Sequence, residues 1–276
     1  MNLAELPLSV TGEPAAPARI GTQSLARGIK LLRMVATRPQ TGWRLSDLAV
    51  ACGQDKATVH RMLACLVEER LLEQRSADRH YLPGPLMYEL GLALPNHSQF
   101  QRCAEAILTR FAHRMAGIVL FQYRSGNDFV CSVRAGTVTM TGAMVYPGTR
   151  RPLFTSAGGV AILQTLPADE TQAVLQDNVN QEIKRHGTTR LASLEKMLAK
   201  SAEHGFGVNF GYVVPNSYAY GVPVRTADGQ AFAAVCLIGT PDTHGEDRLE
   251  ELRERLAEVA GELEEKAREC GIQSAM

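Results

Sequence analysis

The sequence predicts an α+β protein with an N-terminal winged helix-turn-helix, a linker helix and an antiparallel-sheet domain carrying helices. Three observations predict this. Two apolar stripes of helical period, Leu45-Leu48-Ala49-Cys52 and Val59-Met62-Leu63-Leu66, flank Gly53-Gln54. Two short runs follow around the polar turn Ser76-Ala77-Asp78, the pattern of a β-hairpin. Beyond about Ile118, β-rich and helical segments alternate, which fits a sheet with helices on one face. A chain of 276 residues with 45% hydrophobic content is long enough for two cores.

Residues 1–20 are rich in Pro, Ala and small polar residues and read as a disordered tail. A first helix is expected over Ser24–Thr37, with Leu25, Ile29, Leu32 and Ala36 on one face and Pro39 ending it. Ser46 and Asp55 are suited to cap the next two helices, and Gly53 permits the positive φ of a tight turn between them. Leu71–Arg75 and Arg79–Leu82 form the expected wing. Pro83-Gly84-Pro85 then punctuates the chain. The helix after it, Pro85–Leu94, is too apolar to stand bare in water and should join the domains while packing on a partner. This places a DNA-binding-type domain at 21–84, a linker at 85–97 and a second domain at 98–276.

In the second domain a helix over Ser98–Met115 leads into paired strands Ile118–Tyr123 and Asp128–Arg134, turned at Ser125-Gly126-Asn127. Met140–Tyr146 is a further strand candidate. Helices are expected over Ala157–Thr165, Asp169–Asp177 and Arg190–His204. Phe206–Asn209, Tyr220–Val224 and Ala231–Ile238 return to strand character. The last helix, Glu246–Glu269, carries Leu249, Leu252, Leu256, Val259 and Leu263. That stripe spans about two heptads, too short for a long coiled coil, so it should cover its own sheet.

Formal charge balances at 29 basic against 29 acidic residues, which excludes a global basic field. Its distribution is uneven. Residues 20–90 hold 10 Lys and Arg against 7 Asp and Glu, a net of +3, whereas residues 240–276 hold 5 against 11, a net of −6. A mildly basic N-terminal module suits phosphate neutralisation. The six cysteines form no C-x-x-C pair and the seven histidines no H-E-x-x-H motif, so reduced cytosolic thiols are expected, with no metal site and no cofactor. No signal peptide and no membrane span are read, which points to a cytoplasmic protein.

The outer face of the second stripe carries the chemistry. At about 100° per residue, Ala57, His60, Arg61 and Ala64 lie opposite the core side, with Lys56 and Thr58 beside them. Small Ala residues let a helix approach a groove closely. Lys and Arg meet phosphates or guanine edges, and Thr and His bond either. Arg75 and Arg79 flank the wing turn and are placed to grip the backbone of duplex DNA. The plain alternative is a small helical domain with ordinary solvated charges.

The chain resembles the IclR family of bacterial transcriptional regulators from about Ser24 onward. The likeness rests on Ser24-Leu-Ala-Arg-Gly, Lys56-Ala-Thr-Val-His-Arg-Met-Leu and Arg79-His-Tyr-Leu-Pro-Gly-Pro, and on Arg151-Pro-Leu-Phe-Thr-Ser-Ala-Gly-Gly and His204-Gly-Phe-Gly-Val with Gly221-Val-Pro-Val. The resemblance implies a winged helix that binds palindromic operators on double-stranded DNA as a homodimer. It also implies a GAF-like domain that binds a small organic acid and mediates tetramer formation, and it leaves room for a contact with RNA polymerase. Lys56, Thr58, His60 and Arg61 fall where family members contact DNA; the resemblance gives Arg27 of the first helix either a DNA contact or the task of holding the helices together, and Ser46 is added to the DNA-facing set.

For the effector, the resemblance implies that Ser156 and Ala157 supply backbone donors to a carboxylate at a helix start. The family's remaining polar positions become Asn209, Ala219, Cys236 and Ile238 here, and three of these four changes remove polarity or charge. An unmet polar group costs about 1–3 kcal/mol. A larger, more apolar acid, aromatic or derived from aromatic catabolism, is therefore expected. The aromatics of Phe210–Tyr220 agree with this, and Tyr212, Tyr218 and Tyr220 also read as core or interface residues. Two rival readings stand beside the regulator: an enzyme with Cys131 or Cys236 as nucleophile and His204 as base, and a DNA-binding protein without a ligand.

Overall fold

The computed structural model describes residues 22–137 and 145–273, which fall into two compact units meeting in sequence at Ser98/Gln99. The expected tail at 1–20 lies outside the described residues.

The N-terminal unit holds α1 (Gln23–Ala36), α2 (Leu45–Cys52), α3 (Lys56–Glu68), the hairpin β1 (Leu72–Gln74) and β2 (Tyr81–Pro83), and α4 (Pro85–Leu92). Its core is Leu31, Val35, Leu48, Ala49, Cys52, Val59, Leu63, Leu72 and Tyr81, so both predicted stripes point inward. Gly53 ends α2 at φ 64°, ψ 39°, in the left-handed region that the tight turn requires. The Asp55 side chain accepts from the Thr58 amide at 2.8 Å and caps α3 as expected.

Ser46 does not cap α2. That helix begins at Leu45, Arg44 occupies the cap position, and Ser46 Oγ instead donates to Asp47 at 3.1 Å. The buried face of α1 also differs from the expected one. Leu31 and Val35 are buried, while Leu25 and Ile29 are 64% and 42% exposed. The helix has apolar residues around much of its girth, and the three-helix core takes the stripe that meets α2 and α3.

The hairpin is fastened to the loop before α2. Trp43 and Tyr81 exchange backbone bonds of 3.0 and 2.9 Å, and Gly42 at φ 72° lies where a Cβ would come 2.9 Å from the Tyr81 carbonyl oxygen. The linker helix α4 starts with Pro85 at its first turn and buries none of its residues within the chain.

The C-terminal unit begins within α5 (Pro95–Met115) and continues through β3 (Ile118–Ser125), β4 (Asp128–Ala135) and β5 (Arg150–Pro152). It ends with α6 (Ala157–Leu163), α7 (Ala168–His186), α8 (Leu191–His204), β6 (Gly207–Phe210), β7 (Tyr218–Arg225), β8 (Ala231–Gly239) and α9 (Leu249–Glu269). Six strands form one antiparallel sheet in the order β5-β4-β3-β8-β7-β6. Pro95, expected only to break the preceding helix, also opens α5. The α7 helix runs nine residues beyond the expected Asp177, because Asn178, Val179 and Glu182 continue its buried face. Met140–Met144, most of the remaining strand candidate, lies outside the described residues. The described strand in that region is β5, paired to β4.

Helices cover both faces of the sheet, not one. Val119, Phe121, Tyr220, Val222, Val235 and Leu237 pack with α5 and with Leu252, Leu256, Val259 and Leu263 of α9. Leu120, Cys131, Ala219, Ala234, Cys236 and Ile238 pack with α6, α7 and α8. The central strand β8 is buried at every position, and its continuous run Ala231–Ile238 is the sequence pattern of two-sided burial. The α9 stripe covers its own sheet, as expected.

Candidate functional site

Two surfaces merit a functional reading, one in each unit. In the first, buried Val59 and Leu63 fix the roll of α3, which leaves Lys56, Ala57, His60, Arg61 and Ala64 exposed. Thr58 is half-buried and accepts from Arg61 Nη2 at 3.3 Å. The bonds from Thr58 hold the Asp55 carboxyl below the usual carboxylate range, so the cap stays charged at neutral pH. A groove of about 660 Å³ brings exposed Arg27 of α1 to the same place as Thr58 and Arg61, with Leu25, Ile29 and Met62 as its apolar wall. Ser46 is exposed on α2.

The wing arginines are differently employed. Arg75 donates to both Asp78 oxygens at 2.9 and 2.7 Å and to the carbonyls of Gln40 and Thr41 at 3.2 and 3.0 Å. It therefore ties the wing turn to the loop before α2. His80 joins the same knot: Arg44 Nε donates to its Nε2 at 3.0 Å, which leaves Nδ1 to donate to the Thr41 carbonyl at 2.9 Å. Asp78, fed by Arg75, has its carboxyl held far below the usual range. Arg79 is exposed at the turn with φ 61°. Sequence reasoning treated the two arginines alike. The signal separating them was Asp78, three residues beyond Arg75.

In the second unit, the sheet register gathers the expected effector residues. Asn209 lies opposite Ala219, which lies opposite Ile238, and Gly221 lies opposite Cys236. All sit on the side covered by α6. Ser156 caps α6, accepting from the Gly159 amide at 2.9 Å, while its hydroxyl donates to Gln122 Oε1 at 3.1 Å. The α6 start rests directly on the sheet: a Cβ on Gly207 would lie 1.9 Å from the Ala157 carbonyl oxygen, and one on Gly221 2.5 Å from the Gly158 nitrogen. Asn209 braces the following loop, its Oδ1 accepting from the Tyr212 amide at 3.1 Å and its Nδ2 donating to the Ser217 carbonyl at 3.5 Å.

The aromatic run divides. Phe210, Tyr218 and Tyr220 cluster on the opposite side of the sheet, and Tyr220 donates to the His244 carbonyl there. Those tyrosines follow the core reading. Tyr212 packs against both clusters.

One residue on the α6 side was not anticipated. Phe121 pairs with Val133 but Gln122 pairs with Cys131, so Ser132 is the extra residue of a bulge. The bulge switches the facing of β4 and sets Arg134 opposite Leu120, on the α6 side. No strand pattern in the sequence marks that switch.

The thiols argue against nucleophilic chemistry. Burial pushes both Cys131 and Cys236 up to about 12, away from the thiolate. His204 stacks edge-on against Phe210, with ring centres 5.8 Å apart.

Comparison with known proteins adds to this geometry. Residues 24–76 match the family model described as the IclR helix-turn-helix domain, and residues 95–265 match that of the bacterial transcriptional regulator IclR C-terminal. The chain is 24% identical over 247 residues to the HTH-type transcriptional regulator KipR of Bacillus subtilis, covering 88% of this chain and 96% of that one. It superposes on an IclR family regulator of Brucella abortus with a TM-score of 0.71 at 20% identity, over 93% and 96% of the two chains. An IclR homologue of Microbacterium hydrocarbonoxydans, complexed with 4-hydroxybenzoate, gives 0.63 at 20% identity, over 89% and 99%. The two structural likenesses concern fold. The proteins named as regulators include a repressor, AllR of Escherichia coli.

Proposed function

From the premise that this chain belongs to the IclR family of DNA-binding transcriptional regulators, we propose that two copies bind a palindromic operator and that a small organic acid with an apolar or aromatic body alters that binding. The observation that carries the first half is the exposed face of α3. Lys56, Thr58, His60 and Arg61 project from a helix whose other side is anchored by Val59 and Leu63, and Ala57 and Ala64 keep the approach low. A helix so presented enters the major groove with its N-terminal residues toward the bases. Arg61 and Lys56 supply base or phosphate contacts, Arg27 and Arg79 reach the flanking backbone, and Arg75 positions the wing. Ser46 is a backbone contact at the start of α2.

The linker supports pairing of two chains. On α4, Tyr88, Leu90 and Leu92 are 72%, 56% and 57% exposed, an apolar surface that a second copy would cover. Dimeric half-sites then lie about one helical turn, roughly 34 Å, apart. Assembly into tetramers falls to the C-terminal unit. No described helix is long and apolar enough to cross a membrane.

The effector half rests on the α6-covered side of the sheet. Leu120, Cys131, Ala219, Cys236 and Ile238 make it apolar, and Ser156, Ala157 and Asn209 border it. This composition favours a body larger and less polar than glyoxylate or pyruvate. The 4-hydroxybenzoate held by the Microbacterium homologue is of that kind. A ligand at 100 times its dissociation constant adds about 2.7 kcal/mol of stability. The test is therefore a melting screen of the full chain against aliphatic and aromatic carboxylates, followed by operator binding with each hit. A shift by aromatic acids that also changes operator affinity is expected. Tight binding of glyoxylate with none of aromatic acids would overturn the effector class.

A further inference from the structure

On the α6 side of the sheet a buried side-chain amide is only half used. Gln122 is fully buried, yet only one end of its amide is used: Oε1 accepts from Ser156 Oγ at 3.1 Å, and Nε2 has no partner among the described residues. Turning the amide over exchanges the ends and still leaves one idle. Native interiors rarely keep such a group, because an unpaired buried donor loses its hydration without compensation. Asn209, the amide expected to meet a ligand, spends both its ends on the 210–217 loop.

The same side carries a cation. The bulge at Ser132 places Arg134 opposite Leu120, while Gln122 is opposite Cys131. Arg134 and Gln122 are thus diagonal neighbours, a separation of roughly 7–8 Å in an antiparallel pair. Arg134 also donates to the Val145 carbonyl at 3.2 Å and lies over the Tyr146 ring at 5.0 Å, so its guanidinium is held at the margin of this apolar cluster. Cys131 lies opposite Gln122, and a Cβ on Gly158 would meet Gln122 Oε1 at 2.2 Å and Cys236 Cβ at 3.1 Å, so all three residues border the Gln122 amide.

We infer that Gln122 and Arg134 are the polar readers of the effector: Arg134 meets its carboxylate and the idle end of the Gln122 amide bonds a second polar substituent. The inference rests on the effector reading above and narrows it. The ligand is an organic anion whose apolar body separates the carboxylate from a hydroxyl or carbonyl group, as in a hydroxyaryl acid. Benzoate meets only half of that requirement.

The test compares the full-length wild type with Gln122→Met and Arg134→Gln, by melting temperature and by titration with benzoate, 4-hydroxybenzoate, glyoxylate and pyruvate. Without ligand, Gln122→Met is expected to melt close to the wild type, since removing the unpaired Nε2 offsets the lost bond from Ser156 and the volume is kept. A clear fall would make the amide a structural bond and overturn the inference. With ligand, Gln122→Met is expected to weaken 4-hydroxybenzoate tenfold or more and leave benzoate unchanged, while Arg134→Gln weakens both. Equal affinity in wild type and Gln122→Met would overturn it. Binding of pyruvate or glyoxylate in place of the aromatic acids, lost in Gln122→Met, would fail the aromatic class and keep Gln122 as the reader. A wild type that binds none of the four would overturn both.

Discussion

Gly221→Ala is the perturbation that bears most directly on how the effector side is built. Gly221 pairs with Gly207 across β7 and β6, and the start of α6 lies on this pair. A Cβ at 221 would stand 2.5 Å from the Gly158 nitrogen and 2.6 Å from both the carbonyl carbon and the oxygen of Ala157. Ordinary non-bonded contact is about 3.5–4.0 Å between carbons, so α6 must retreat by about 1 Å. The meeting atoms are backbone, and no rotamer change relieves the clash. Overpacking of this kind costs about 1–3 kcal/mol. At about 2–4 °C per kcal/mol for a domain of this size, melting should fall by roughly 2–12 °C. Gly261→Ala on α9 is the control, because a Cβ there meets nothing within 4 Å. It should raise stability by about 0.5–1 kcal/mol through helix propensity. Calorimetry of the full-length variants reads both. A Gly221→Ala protein that melts at or above wild type would refute the direct seating of α6 on the sheet.

Other expectations follow from the same geometry. In folded protein at neutral pH, iodoacetamide should label exposed Cys65, whereas Cys131 and Cys236, pushed to about 12, should react only on unfolding; prompt labelling of either in the native state would contradict their burial. The Asp78 carboxyl, held low chiefly by its bond from Arg75, stabilises the folded wing above the ordinary carboxylate pKa of about 3.9. That contribution is lost as pH falls through its depressed folded value. Trp43, the chain's single tryptophan and bonded to Tyr81, reports on the wing, so Asp78→Asn should give at neutral pH the fluorescence that wild type reaches only in strong acid. Identical acid titrations of the two proteins would count against the Arg75–Asp78 tie.

The parts legible in the sequence are those where one period governs a whole element. The stripes of α2 and α3 identified both buried residues and the outward face of α3, and Asp55 announced its cap. The Leu252–Leu263 stripe of α9 likewise implied its docking on the sheet. The continuous run of β8 was the available sign that helices cover both faces, and the expectation of a single covered face passed over it. What else escaped depended on pairing partners. The bulge at Ser132 is set by register with β3, and it alone brings Arg134 to the α6 side. Gln122 sits in a strand of mostly apolar residues, and its idle amide is visible only once Ser156 is placed beside it. Tyr218 and Tyr220 flank Ala219 on one strand, and this alternation was the available sign that they face away from the α6 side.

The central claim is that α3 reads DNA, and the most direct measurement is operator affinity across a salt series for wild type, Arg61→Ala and Lys56→Ala. If Arg61 contacts a base bidentately, its removal costs about 1–3 kcal/mol of specific binding and relaxes discrimination at one base pair. If Lys56 neutralises a phosphate, its removal weakens binding to all sequences and lowers the log–log salt slope by about 1. The account predicts that both variants fold as the wild type does, since both side chains are exposed. Unchanged affinity, discrimination and salt slope in both variants would contradict it.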